Sequence, residues 1–210
     1  MANWSDPRLA DGATISVGTR SAAYDAGLRS YMLSVYNYMT SGVLLTGIVA
    51  LLFASSGMAQ SIMFGPGLLK WLIVFSPLAF ILVMNARLSR MSTFGLQLSF
   101  WGFATAMGLS MSTIFLVYTG ASIAQTFFAT AAAFAGLSLW GYTTKKDLSG
   151  FGSFLIMGVV GLLVASIINI FMQSGTMQLV ISFIGVLLFA GLTAYDTQRI
   201  KSMYAYVAGS

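Results

Sequence analysis

Six long apolar runs, separated by short polar or glycine-containing breaks, organise most of this chain. Each run has roughly the 20 residues that a helix, rising about 1.5 Å per residue, needs to cross about 30 Å of hydrocarbon. The runs lack the strict alternation of barrel strands and are rich in Ala, Leu, Met and Gly, which favours helices. The pattern therefore predicts transmembrane helices at about residues 31–54, 68–86, 95–118, 121–142, 151–173 and 177–198.

The composition agrees with an all-α membrane protein, a bundle of about six transmembrane helices. Of the 210 residues, 58% are hydrophobic and 7% are charged, whereas a soluble domain carries roughly 25% charged residues. The pattern predicts a polar cytoplasmic N-terminal tail (residues 1–30), a single transmembrane helical domain (31–203) and a short C-terminal end (204–210). The lipid bilayer is thus the first expected partner.

The basic residues fall on alternate loops, so that one predicted side of the membrane carries nearly all of them. Lys70, at the entry to the second span, is the exception. The others are Arg8, Arg20, Arg29, Arg87, Arg90, Lys145, Lys146, Arg199 and Lys201. Because basic residues are retained on the cytoplasmic side, and six spans return the chain to its starting side, we expect both termini in the cytoplasm. This distribution explains the net charge of +5 without a nucleic-acid partner.

The ionisable residues exclude several classes of enzyme. The chain has no His and no Cys, so it lacks the base of a Ser–His protease and any thiolate or imidazole metal ligand. An intramembrane aspartyl protease needs two carboxylates at one site, but of Asp6, Asp11, Asp25, Asp147 and Asp196 only the last falls within a predicted span. No Gly-Lys-Ser/Thr phosphate-binding loop is present. We expect no enzymatic activity and no cofactor, which leaves a channel or leak, a carrier, or a membrane-embedded regulator.

Asp196 and Arg87 are the candidate functional residues. Charged residues within spans are costly and often functional, and Asp196 lies near the predicted cytoplasmic end of the sixth span. It is either an interfacial charge beside Arg199 or a titrating gate. Arg87, just after the second span, is either an anchor that reaches the lipid headgroups or the ion-pair partner of Asp196 on the same predicted side. The pattern alone leaves these alternatives open.

Small and polar residues within the spans predict contacts between helices. Small residues four positions apart let helix backbones approach closely in lipid. Examples are Gly108 and Ser112, Gly161 and Ala165, and Ala190 and Ala194. The amides of Asn85, Asn169 and Gln173 lie in or near spans, where each is expected to form an interhelical hydrogen bond or mark a kink, with pore lining as the alternative.

Three segments carry a resemblance to a known family. The segment Gly191-Leu-Thr-Ala-Tyr195-Asp196-Thr-Gln198-Arg-Ile200-Lys201 resembles the aromatic-Asp-Thr-Gln signature of the Bax inhibitor-1 family, also called the transmembrane BAX inhibitor motif family. The segments Met107–Gly120 and Gly141–Gly150 are similar to its bacterial members. The resemblance covers roughly residues 20 to 203.

The resemblance implies a bundle of seven helices, a pH-sensitive calcium leak and a cytoprotective role in eukaryotic relatives. Some bacterial relatives are instead associated with a membrane-bound quality-control protease. In the family, an Asp of the sixth helix pairs with an Asp of the seventh as a proton sensor, and an Arg of the second helix can engage the pair. Asp196 matches the first Asp, and Arg87 matches the Arg. The last helix of the family pattern has no counterpart in this sequence, either because the chain is a truncated form or because the partner Asp does not exist, so the two-carboxylate sensor is not carried over.

Together, the residues and the resemblance predict a Bax inhibitor-1-like protein of the bacterial inner membrane. We expect it to act as a pH-modulated calcium or cation leak, with Asp196 and Arg87 as its gate and pH sensor. Calcium ions would then be a partner, although the sequence identifies no metal ligands. The alternative is a non-conducting regulator or partner of a membrane quality-control protease.

Overall fold

A computed structural model describes the backbone of residues 7–87 and 90–208, with side chains described from residue 22 onwards in those ranges. Within these residues all regular secondary structure is helical. The helices are α1 (Pro7–Ser55), α2 (Met58–Phe64), α3 (Leu69–Arg87), α4 (Thr93–Val117), α5 (Gly120–Thr143), α6 (Ser149–Met172) and α7 (Gly175–Ala208). In the described part of the chain, all but α2 are long and apolar enough to cross a membrane. The predicted all-α bundle with six spans is confirmed.

The first and last spanning helices extend well beyond the apolar runs that predicted them. Helix α1 begins at Pro7, within the tail predicted over residues 1–30, of which residues 1–6 lie outside the described residues. Helix α7 continues to Ala208 through most of the predicted C-terminal end, whose residues 209–210 are likewise outside. A predicted span stops where the apolar side chains stop, but a helix stops only where its backbone hydrogen bonds end. Polar extensions of this kind are therefore invisible to hydropathy.

The short helix α2 is an element that the sequence pattern did not predict. It lies in the break between the first two spans, after Gly57 and before Gly65. Gly57 has φ 73°, a left-handed conformation that glycine adopts without a steric penalty. The chain can therefore end α1 and start α2 within three residues, and seven residues are too few for a periodic hydrophobic signal.

The chain divides into two compact units: unit 1, Met1–Leu33 with Ala129–Ser210, and unit 2, Ser34–Phe128. Unit 2 is built around α4. The Thr46 hydroxyl of α1 donates to the Ala104 carbonyl of α4 at 2.8 Å, and a methyl group on Gly108 would meet the Thr46 carbonyl at 2.6 Å. Helix α4 also packs against α3, where Gly102 of α4 contacts the ring of Phe80. Ser112 is 0% exposed, so the small face predicted at Gly108 and Ser112 is confirmed.

Unit 1 is built around α7 in a similar way. Helix α6 packs along it through Gly158 against Leu188 and through Leu155 against Gly191. The predicted small residue Ala194 is buried, whereas Gly161 has open space where a side chain would be, so packing at Gly161 is not confirmed. These contacts fix α7 against α6 along most of their shared length.

Asn169 confirms the expected interhelical hydrogen bond. Its amide nitrogen donates to Gln178 Oε1 of α7 at 3.1 Å, and its amide oxygen accepts from the Ser174 backbone N–H at 3.1 Å. The side chain is 7% exposed, so both groups of the amide need partners. Gln173 ends α6 in a left-handed conformation, and Asn169 thereby holds the turn that joins α6 to α7. Asn85, by contrast, is exposed near the end of α3.

Candidate functional site

Asp196 and Arg87 both lie at helix positions with exposed side chains. Asp196 is on α7, about 30 Å along the helix from Gly175 at about 1.5 Å per residue, which is close to the thickness of the hydrocarbon core. Its carboxylate makes no hydrogen bond or ion pair with the described residues. Arg87 is the last residue of α3. Asp196 belongs to unit 1 and Arg87 to unit 2, so their ion pair stays a prediction.

The residues on either side of Asp196 are fixed against α5 and α6. The ring of Tyr195 lies over Gly152 of α6, where a methyl group would be 2.5 Å from the ring. The Thr197 hydroxyl donates to the Thr193 carbonyl at 2.8 Å and lies 3.4 Å from the Ser138 hydroxyl of α5. Thr197 is 4% exposed. The motif therefore packs Tyr195 and Thr197 against the neighbouring helices and leaves the Asp196 carboxylate exposed on the helix surface.

Gln198 joins α7 to the loop between α5 and α6. Its side-chain Nε2 donates to the Lys146 carbonyl at 2.7 Å, and its Oε1 accepts from the Leu148 backbone N–H at 2.8 Å. One amide side chain thus satisfies an acceptor and a donor of the loop backbone. The loop is held in one conformation at the two residues that flank Asp147.

Lys201 makes a second link one turn further along α7. Its ammonium group donates to the Tyr142 carbonyl at 2.7 Å and lies 4.8 Å from the centre of the Tyr142 ring. The carbonyls in the last turn of a helix lack intrahelical partners, and α5 ends at Thr143. Lys201 therefore caps the C-terminal end of α5 with a positive charge, where the helix dipole favours one.

Two of the segments that carried the family resemblance meet at this point. Gly141 packs against the backbone of Ala194, and the hydrogen bonds of Gln198 and Lys201 end on the same segment, residues 141–150, which comprises the end of α5, the loop and the start of α6. Asp196 stands out in the sequence because it is a charge in a span, whereas the structural roles of Thr197, Gln198 and Lys201 were not predicted. Their presence within the quoted motif was the available signal, but their partners are mostly backbone groups, which leave no sequence pattern.

A cavity of about 290 Å³ opens beside this junction. Its walls carry three cations, Lys145, Lys146 and Arg199, and one carboxylate, Asp147. Asp147 Oδ1 accepts from the Ser149 backbone N–H at 2.9 Å at the start of α6. Hydrogen bonds from Ser149, through its side chain and then its backbone, lower the pKa of Asp147 below its ordinary value. Asp147 is therefore ionised near neutral pH, and the cavity walls carry a net charge of about two positive.

The described residues form no obvious metal centre. Among the residues that the structure describes, no three His, Cys, Asp or Glu side chains lie close enough together to hold a metal ion.

Comparison with known proteins identifies the family. A family model described as "Inhibitor of apoptosis-promoting Bax1" matches residues 28–209. An uncharacterised protein of Rickettsia prowazekii is 43% identical over 94% of this chain and 83% of its own length. The inner membrane protein YbhL of Escherichia coli K12 is 42% identical over 85% of this chain and 76% of its own length. An uncharacterised membrane protein of Streptococcus pyogenes is 31% identical over 88% of this chain and 81% of its own length.

The similarity to the inner membrane protein YbhL and the six membrane-spanning helices among the described residues support a multi-pass protein of the bacterial inner membrane. The matched family model covers most of the chain, including the junction of α5, α6 and α7 described above. The chain belongs to the Bax inhibitor-1 family.

Proposed function

We propose that the protein is a non-enzymatic cation leak, with calcium among the ions that pass, and that its rate depends on pH through Asp196. The observation that carries the proposal is the Asp196 carboxylate, exposed on a spanning helix and without a partner among the described residues. Carboxylates on spans are costly, and they commonly mark ion paths and proton relays. Membership of the family, whose members are expected to leak calcium, supports the same assignment.

The rigid surroundings of Asp196 support a role as a switch. Thr197 and Gln198 hold this turn of α7 against α5 and the α5–α6 loop, so the carboxylate is presented at a constant position whatever its protonation state. In the proposed closed state, ionised Asp196 pairs with Arg87. Protonation removes the charge of Asp196, which breaks the pair and opens the path. Arg199, one turn along α7, is the competing cation on the same helix.

Calcium release from vesicles tests this proposal. Purified protein, reconstituted with trapped calcium, should release it at a rate that changes as the pH falls from about 8 towards about 4, where carboxylates ordinarily take up protons. Asp196→Asn should leave a leak with no pH dependence, and Arg87→Gln should resemble it. Asp25→Asn is the matched control, because Asp25 is also an exposed carboxylate on a helix of unit 1. It should keep the wild-type pH response.

Two results would contradict the proposal. If Asp196→Asn keeps the wild-type pH response, Asp196 is an interfacial charge and the switch lies elsewhere. If folded protein releases no calcium from the vesicles at any pH, the protein does not conduct. The function left would then be that of a regulator or partner of a membrane-bound quality-control protease, and isolation of the protein from membranes together with such a protease would be the next measurement.

We further propose that both termini face the cytoplasm. The support is the distribution of basic residues, nine on one side of the six spans and Lys70 on the other, because Lys and Arg are retained on the cytoplasmic side. Reporter fusions at Gly57, Gly120 and Gly175 should report the periplasm, and fusions at Ser92 and Gly150 should report the cytoplasm. Two neighbouring sites with reversed signals would refute this orientation.

A further inference from the structure

We propose that the cavity beside the α5–α6 loop binds the phosphate group of an anionic phospholipid. The cavity has about 290 Å³, close to the lower end of the range of about 300–1,000 Å³ that is typical of small-molecule sites. This volume suits a headgroup, with the acyl chains remaining outside. The proposal is independent of ion conduction, since it concerns a binding site in unit 1 and not a path through the membrane.

The charge of the cavity selects an anion. Lys145, Lys146 and Arg199 line it, and none of their cationic groups makes a hydrogen bond or an ion pair with the described residues. Asp147, the carboxylate of the same wall, already accepts hydrogen bonds from Ser149. Its charge is therefore partly satisfied, and the three cations remain available to a ligand. Arg groups bind phosphate oxygens in a bidentate manner and Lys groups bind them as point charges.

The framework of the cavity is fixed although its cations are exposed. The two hydrogen bonds of Gln198 hold the backbone at Lys146 and Leu148. Tyr195 and Arg199 lie one turn apart on α7, and Tyr195 is packed against Gly152. Ser149 and Ser202 also line the cavity, and the Ser202 hydroxyl donates to the Arg199 carbonyl at 2.7 Å, which ties the two ends of this turn of α7 together. Ordering of the three long side chains is the main entropic cost that remains for the ligand.

The position of the cavity favours a lipid over a soluble phosphate. It lies where α5 ends and α6 begins, which places it at the boundary of two spans, at the level of lipid headgroups. On either side of the loop the helices expose large aromatic side chains: Trp140 near the end of α5, and Phe151 and Phe154 in the first turns of α6. Phe151 is 59% exposed. A lipid seated by its phosphate would lay its acyl chains on such a surface, and basic pockets between spans on the cytoplasmic side are suited to anionic lipids.

Native mass spectrometry of the full chain in detergent micelles tests the proposal, because micelles remove the anionic bilayer surface. Dioleoylphosphatidylglycerol should bind at least about tenfold more tightly than dioleoylphosphatidylcholine. The double variant Lys146→Gln with Arg199→Gln should bind phosphatidylglycerol about 10- to 30-fold more weakly, because it removes two positive charges that attract the anionic lipid. The variant Lys146→Arg with Arg199→Lys keeps both charges and should retain most of the binding.

The matched control is Arg29→Gln with Arg90→Gln, which removes two exposed cations elsewhere. It should bind phosphatidylglycerol within about twofold of the wild type, since neither residue lines the cavity. Equal losses in the two double variants would overturn the site in favour of diffuse electrostatic attraction. Equal binding of the two lipids would also overturn it. Displacement of the lipid by an equal concentration of glycerol 1-phosphate would show a soluble phosphate site and would refute the lipid assignment.

Discussion

Replacement of Gln198 by methionine tests the link between α7 and the α5–α6 loop. Methionine keeps the length of the side chain but removes the amide, and with it the bonds to the Lys146 carbonyl at 2.7 Å and from the Leu148 N–H at 2.8 Å. A hydrogen bond of this kind contributes a net stabilisation of about 0.5–1.5 kcal/mol. Loss of the bond from Leu148 should therefore increase the local opening of that amide by roughly 2- to 13-fold.

Hydrogen–deuterium exchange in lipid nanodiscs measures this effect directly. The Leu148 amide precedes the first residue of α6, so its protection reports the side chain of Gln198 and not the helix. Exchange at Leu148 should accelerate by the factor given above in Gln198→Met.

Gln178→Met provides the matched control for this experiment. Gln178 is the same residue type on the same helix, and it accepts one hydrogen bond from Asn169 at the opposite end of α7. Its replacement should leave exchange at Leu148 unchanged. If Leu148 exchanges equally fast in the wild type and in Gln198→Met, Gln198 does not hold the loop.

Two further predictions concern the same region of unit 1. Gly141→Ala should lower the stability of the folded protein in detergent by about 1–3 kcal/mol, because the new methyl group would clash with the Ala194 backbone; Gly136→Ala on the same helix has open space and should raise it by about 0.5–1 kcal/mol. Equal effects in the two variants would exclude close packing at Gly141. Hydrogen bonds donated by Ser149 lower the pKa of Asp147 from its ordinary value of 3.8. The contribution of Asp147 to stability is therefore present above about pH 3.8 and is lost as the pH falls through the lowered pKa. Asp147→Asn should therefore lower the melting temperature by a constant amount from pH 5 to 8, with the difference from wild type shrinking below pH 3.8; a difference that changes between pH 5 and 8 would contradict this assignment.

The spans could be predicted from the sequence because the bilayer imposes a length and a polarity that can be counted. Backbone groups in hydrocarbon must find partners within their own helix, so each apolar run of sufficient length is helical. Asn169 was predictable for a related reason, since a buried amide among apolar residues needs a hydrogen-bond partner. Its partner, Gln178, was not specified, because nothing in the pattern fixes the rotation of α6 about its axis relative to α7.

The candidate site was predicted less completely, since its contacts join side chains to distant backbone atoms. Gln198 is 52 residues from Lys146, whose carbonyl it binds, and a carbonyl is present at every position in the chain. Charge patterning marked Asp196, Arg199 and Lys201 equally as residues near a membrane boundary. Only the structure shows that the Asp196 carboxylate is exposed, whereas the Lys201 ammonium group is hydrogen-bonded to the Tyr142 carbonyl at the end of α5.

The discontinuity of unit 1 has a consequence for the order in which the protein forms during synthesis. Unit 2 is one continuous segment, Ser34–Phe128, and can assemble as soon as α4 has entered the membrane. In unit 1, however, the rings of Tyr24 and Tyr31 on α1 pack against Tyr204 on α7, with centroids 5.5 and 5.3 Å apart.

At translation rates of about 5–20 residues per second, Tyr204 is synthesised roughly 10–40 s after Tyr24. During that interval the N-terminal part of α1 lacks its native neighbours and is available to insertion factors, chaperones or proteases. The ribosome thus completes the inner segment of the protein first, and the contacts of Tyr24 and Tyr31 with Tyr204 are among the last to form.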